Sequence, residues 1–183
     1  MLFELYKFQR KNLSCKDKTF IKSIDSGIFT GLRNKKGLLK EEYKVFYEKN
    51  YKIYSKLRHK INKINKDFFN IHTQYRNKQV ILYRGLDIFV NKYEDIIPTS
   101  YTCKKKVGLN FLLDNTSLLK YKCNNLLDLI INFNENEELN EYEIILPPQK
   151  YKINNYINKK HTYKINNEEV SFNYIESEIG IKN

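Results

Sequence analysis

Glu141-Tyr142-Glu143 runs directly into Ile144-Ile145-Leu146 and Pro147-Pro148. The apolar run reads as a strand, where residues two apart share a face, about 7 Å apart along the backbone. Carboxylates so placed repel, which raises at least one pKa. Alone, such a pair is more often a solvated strand entrance. A second candidate is Tyr83-Arg84-Gly85-Leu86. An arginine that closes an apolar strand is costly to bury unless it meets an anion, and its planar fork fits phosphate or carboxylate. The glycine after it lets a flat ligand approach the backbone. The alternative is an arginine reaching water from a strand end. The third candidate is Pro98-Thr99-Ser100-Tyr101-Thr102, whose alternating hydroxyls can fix a neighbouring carboxylate by hydrogen bonds. By itself it reads as an ordinary turn that starts at proline.

The elements that must hold these groups change character near Gln79. In residues 38–69, Tyr43, Phe46, Tyr47, Tyr51, Tyr54, Leu57, Ile61 and Ile64 recur at three- and four-residue steps and predict a helix. Gly27, Gly31 and Gly37 mark turns ahead of it, and residues 20–28 read as a short helix. After Gln79 the texture is β: strands are expected at residues 80–84, 126–133 and 142–146. Tyr151-Lys-Ile-Asn-Asn155 recurs as Tyr163-Lys-Ile-Asn-Asn167, which suggests a hairpin turning at Asn158-Lys159-Lys160. The expectation is an α+β chain of one domain, residues 1–183, with 1–78 mainly helical and 79–183 rich in strands.

Composition bounds the function. The 183 residues carry 33 Lys and Arg against 21 Asp and Glu, a net charge of +12. That balance admits a nucleic-acid or acidic partner. Yet only Arg10, Arg33, Arg58, Arg76 and Arg84 are arginine, and lysine, asparagine, isoleucine and tyrosine crowd the rest, as in a chain from an A/T-rich genome. The lysines then read as a solvated surface, and a retained arginine marks geometry that lysine cannot supply. Cys15, Cys103 and Cys123 are odd in number and lack metal spacing, and His59, His72 and His161 are scattered, so no metal is expected. No apolar run reaches membrane-spanning length and no signal-peptide core is present at the N-terminus, which predicts a soluble, cytoplasmic protein.

In their order, the three motifs resemble the arginine–serine–glutamate class of mono-ADP-ribosyltransferases, which includes clostridial binary-toxin enzymes and vertebrate ecto-transferases. Residues 80–86 resemble its strand ending in Tyr-Arg-Gly. Ser100-Tyr101-Thr102 is similar to its Ser-Thr-Ser strand, with Tyr at the centre. Lys106-Val-Gly-Leu-Asn-Phe111 is similar to the stretch after it, with Phe111 at the spacing of the aromatic that packs on nicotinamide. Glu141-Tyr-Glu-Ile-Ile-Leu-Pro-Pro148 is the most specific match. Tyr51-Lys-Ile-Tyr-Ser-Lys-Leu-Arg58 is similar to a helix signature of bacterial members, so the resemblance covers roughly residues 43–153.

The resemblance implies a fold of two packed, mainly antiparallel sheets with an N-terminal helical lobe, and NAD as substrate in the cleft between the sheets. It makes Glu143 the carboxylate that stabilises the oxocarbenium-like transition state, oriented by Ser100, and Glu141 the group that positions and deprotonates the acceptor. Arg84 would clamp the pyrophosphate, Gly85 would present backbone to the nicotinamide amide, Thr102 would join the NAD contacts, and Phe111 would stack on the ring. Glutamate at 141 implies arginine side chains of a protein as acceptors, with NAD hydrolysis as a side activity. The short stretch 134–140 corresponds to the loop that selects the target. Two other readings stand beside this one: a basic module that binds nucleic acid or an acidic partner, and an inactive transferase fold used only for binding.

Overall fold

The computed structural model describes residues 1–25, 40–86, 93–95, 97–133 and 141–182. Three helices open the chain: α1 (Leu2–Asn12), α2 (Cys15–Asp25) and α3 (Lys44–Ile71). α1 turns Leu5, Tyr6 and Gln9 inward. α2 starts at a capping box, in which the Ser14 amide donates to Asp17 Oδ2 at 3.1 Å and the Ser14 hydroxyl accepts from the Asp17 amide at 3.2 Å. It begins earlier than the short helix expected at residues 20–28, the end of which lies outside the described residues, as do Gly27, Gly31 and Gly37. α3 buries Tyr54, Leu57, Ile61, Ile64 and Phe68 at the expected spacing. It starts at Lys44, after a 3-10 turn over Glu41–Tyr43, and Phe46 on its first turns is exposed. Each fully buried aliphatic side chain of this stripe contributes about 1.5–3 kcal/mol.

The strands are β1 (Val80–Leu86), β2 (Tyr93–Asp95), β3 (Thr99–Thr102), β4 (Thr116–Cys123), β5 (Ile130–Asn132), β6 (Glu143–Leu146), β7 (Gln149–Ile165) and β8 (Glu168–Ile181), with a short helix α4 (Lys105–Leu109) after β3. They run in the order β2-β7-β8-β4-β1-β3-β6-β5, and among the described residues β4–β8 is the parallel pair. The α+β class holds. Its two sheets are two wings of one hydrogen-bonded order, joined between β1 and β3 at the register pair Tyr83↔Thr102. Leu82, Leu119 and Tyr121 of one wing share a core with Tyr101, Ile144 and Leu146 of the other, under Leu5 and Phe68. A neighbouring cluster packs Ile21, Ile24, Leu57 and Ile61 on Ile130 and Ile145.

Two local expectations change. The repeated Tyr-Lys-Ile-Asn-Asn segments do not form two strands of a hairpin; the first lies within β7, which continues through Asn158-Lys159-Lys160, and the second begins at its end and runs into the turn. The reversal falls at Asn166 and Asn167, whose φ values of 49° and 68° are left-handed, a conformation asparagine tolerates well. In the apolar stretch 126–133, Leu126–Asp128 forms a 3-10 turn because the Asn125 side chain accepts from the Leu127 amide at 3.2 Å. Only Ile130–Asn132 is strand.

Buried polar groups fasten that short strand to the helices. Gln9 Nε2 donates to Asn65 Oδ1 and to the Leu129 carbonyl, each at 2.8 Å, and Gln9 Oε1 accepts from the Ile131 amide at 3.1 Å. Asn65 Nδ2 donates to the Leu127 and Leu129 carbonyls at 2.9 and 3.0 Å. Gln9 and Asn65 are both fully buried. Gln9→Leu keeps the volume but strands several partners, so stability should fall by about 1–3 kcal/mol. Urea unfolding checks this, and an unchanged midpoint would show that the network is dispensable.

Candidate active site

Strand alternation decides which side chains reach the site. On β6, Ile144 and Leu146 enter the main core, while Glu143 shares the opposite face with Ile145. The register places Glu143 opposite Thr102 on one side and opposite Asn132 on the other. On β3, Tyr101 points into the core, which turns Ser100 and Thr102 toward the Glu143 face. The β1–β3 ladder stops after Tyr83↔Thr102, and there a cleft of about 270 Å³ opens. Arg84, Gly85, Ser100, Thr102, Phe111, Glu141 and Glu143 all line it. The seven residues singled out in the sequence are therefore brought together in one cleft.

Glu143 is 6% exposed, and Asn132 Nδ2 donates to its Oε2 at 2.8 Å. Glu141 is exposed and lies before the strand, because Tyr142 takes a left-handed φ of 52°. The two carboxylates do not alternate along one strand, as the spacing suggested. The kink at Tyr142 delivers Glu141 to the cleft by another route. Tyr142 packs edge-on against Phe133 with centroids 5.6 Å apart and lies under the Lys104 ammonium, so the kink is supported from both sides. Thr102 holds the same segment: its hydroxyl donates to the Glu141 carbonyl at 2.7 Å and accepts from the Lys104 amide at 3.1 Å.

Arg84 Nη1 donates to the Ser100 carbonyl at 2.7 Å and so spans the opening between β1 and β3. This pins a guanidinium at the cleft wall. Gly85 has a local reason to lack a side chain. A Cβ there would lie 2.3 Å from the Gly108 carbonyl oxygen and 2.9 Å from Phe111 Cβ. The space that the sequence reading gave to a ligand is filled at that atom by the end of α4. Phe111, 52% exposed, follows α4 at the cleft rim. Gly108 also fits closely, with Tyr83 Cβ and Leu118 Cδ1 each 3.1 Å from where its Cβ would stand.

Burial pushes the Tyr83 hydroxyl up, against the nearby Lys105 ammonium, which pulls it down. Burial would also raise Glu176, but its ion pairs with Lys105 and Lys159 hold it below the usual carboxylate range. These pairs tie α4 to β7 and β8 behind the cleft. Asn132, which donates to Glu143, is the side chain that the sequence reading missed. The signal for Asn132 was a lone amide inside the apolar run Leu-Ile-Ile-Asn-Phe. Residues 134–140, the expected target-selecting loop, lie outside the described residues. Among the described residues no group of His, Cys, Asp and Glu could hold a metal, and no helix is long and apolar enough to cross a membrane.

No protein-family model and no curated protein matches the sequence. Solved structures do. C3larvin toxin, an ADP-ribosyltransferase from Paenibacillus larvae, is 17% identical with a TM-score of 0.46, over 96% of this chain and 100% of that one. The enzymatic component C2-I of the C2-toxin from Clostridium botulinum is 14% identical with a TM-score of 0.49, over 96% of this chain and 45% of that one. BECa, an ADP-ribosylating toxin of a binary enterotoxin of C. perfringens solved with NADH, is 17% identical with a TM-score of 0.44, over 96% and 46%. The chain thus spans under half the length of the two clostridial proteins.

Proposed function

We propose that this chain is a mono-ADP-ribosyltransferase that cleaves NAD at the nicotinamide–ribose bond and transfers ADP-ribose to an arginine side chain of a protein. The observation that supports it most is the single cleft lined by Arg84, Gly85, Ser100, Thr102, Phe111, Glu141 and Glu143. At about 270 Å³ it is near the lower end of ligand pockets, roughly 300–1,000 Å³, which suits the nicotinamide–ribose end of NAD. The helical part and the β-rich part act as one domain, since α1, α3 and both wings share a core.

As the C–N bond to nicotinamide breaks, positive charge develops on the ribose, and a fixed carboxylate beside it stabilises that state. Glu143 takes this role, because it is buried, oriented and lines the cleft. Arg84, pinned to Ser100, places its charge where the pyrophosphate would lie. Phe111 offers a ring face at the rim for nicotinamide. Glu141, exposed at the mouth, meets the acceptor; a guanidinium pairs with a carboxylate in forked geometry and loses a proton as it attacks the ribose carbon. Ser100 and Thr102 act on the strand and kink that carry these groups.

Glu141→Gln separates the two half-tasks. Transfer to agmatine should fall at least about 10-fold more than NAD hydrolysis does, since water needs less positioning than a bulky acceptor. Nicotinamide release and agmatine modification, measured side by side, test it. Equal loss of both would refute the division between the two glutamates.

A further inference from the structure

We propose that Asn132 is a positioning residue for the reaction, fixing the Glu143 carboxylate through its side-chain amide; this rests on the transferase reading of the cleft. Asn132 and Glu143 oppose each other in the β5–β6 ladder, and opposed side chains in an antiparallel pair lie on one face. Asn132 Nδ2 donates to Glu143 Oε2 at 2.8 Å. Asparagine is a poor strand former, and here it follows Ile130 and Ile131, both buried. The contact with Glu143 supplies the reason for its presence.

The register that makes this contact is built into the helical lobe. A slip of one residue would turn Asn132 away from Glu143 and into the apolar core on the opposite face, where Ile131 packs. Gln9 Oε1 accepts from the Ile131 amide, the neighbour of Asn132, and Gln9 and Asn65 both hold the Leu129 carbonyl. The chain of contacts runs from α1 and α3 to β5 and from β5 to the catalytic carboxylate. An amide N–H donates to the carboxylate but has no proton to give up near neutral pH, so it favours the ionised form and fixes its direction. Misplacing a catalytic group by about 1 Å can cost on the order of 100-fold.

The test is nicotinamide release from NAD as a function of pH for wild type, Asn132→Leu and Asn132→Asp. Among the described residues, the other charged and titratable groups that line the cleft are Tyr83, Arg84, Tyr101 and Glu141, and all are retained. Asn132→Leu should lower kcat about 10-fold or more, with KM for NAD changed by less than about threefold, because the ligand contacts remain. Its acid limb should move to higher pH, since the donor that favours ionised Glu143 is gone. Asn132→Asp is close to isosteric and sets a second carboxylate against the first, so its limb should move further up. Should Asn132→Leu not fold, Asn132→Asp carries the test alone. Unchanged kcat and pH profile in an active enzyme would overturn the role, as would a loss of kcat that follows the melting temperature with no shift of the profile. A wild type that releases no nicotinamide would instead overturn the transferase reading, and this role with it.

Discussion

Glu143→Gln is expected to lower nicotinamide release by about 100-fold or more, the cost of losing one preorganised electrostatic contact to a transition state. The substitution keeps the shape of the side chain and removes its charge. Glu143 is buried and opposed on both flanks, by Thr102 and by Asn132, and among the described residues no other carboxylate stands in the same place. Glu141 lies across the Tyr142 kink on an exposed segment and is poorly sited to substitute. The variant should fold, because glutamine still accepts from Asn132 through its carbonyl oxygen. NAD should bind it with little loss, since Arg84 and Phe111 are untouched. Release at the wild-type rate from folded Glu143→Gln would remove Glu143 from the chemistry.

The other large effect is expected at Gly85. A methyl group there has no room: the obstacles are a backbone carbonyl at Gly108 and the first side-chain carbon of Phe111, neither of which can swing aside. Gly85→Ala must push α4 and Phe111 off β1. Overpacking of this kind costs about 1–3 kcal/mol, and the displaced rim should raise KM for NAD by about 10-fold or more if Phe111 stacks on nicotinamide. Thermal melting and steady-state kinetics read the two effects separately. A variant with wild-type stability and wild-type KM would mean that α4 yields freely and does not shape the cleft.

The residues that line the cleft were more legible in the sequence than the scaffold around them. Arg84, Ser100 and Glu143 sit on strands whose apolar neighbours carry the signal for their own alternation, so short motifs sufficed. The arginine bias was informative in the same way: Arg58 meets Asp128 through Nε and Nη2, each at 3.1 Å, a fork that lysine cannot form. The geometry around Glu141 was not legible. Strand spacing implied a paired face, but a left-handed Tyr142, held by Phe133 and Lys104 from distant segments, set the actual path. The long ribbon of β7 and β8 was misread because lysines and asparagines in its middle look like turn residues. What decided its course was pairing with β8, from Tyr151↔Ile181 to Ile165↔Glu168, which no local pattern reveals. The α1 helix and the Gln9–Asn65 network went unread for a similar reason, since partners 56 and 120 residues apart leave no local trace.

Turnover of NAD in the cleft is the expected activity. It is tested most directly by incubating the wild-type chain with NAD labelled in the nicotinamide ring and measuring free nicotinamide over time, with and without agmatine. The expected result is steady release, coupled to agmatine modification when agmatine is present. No release at saturating NAD by folded protein, together with tight binding to RNA or DNA that weakens steeply with salt, would contradict the claim and identify the basic surface as the working part of the molecule.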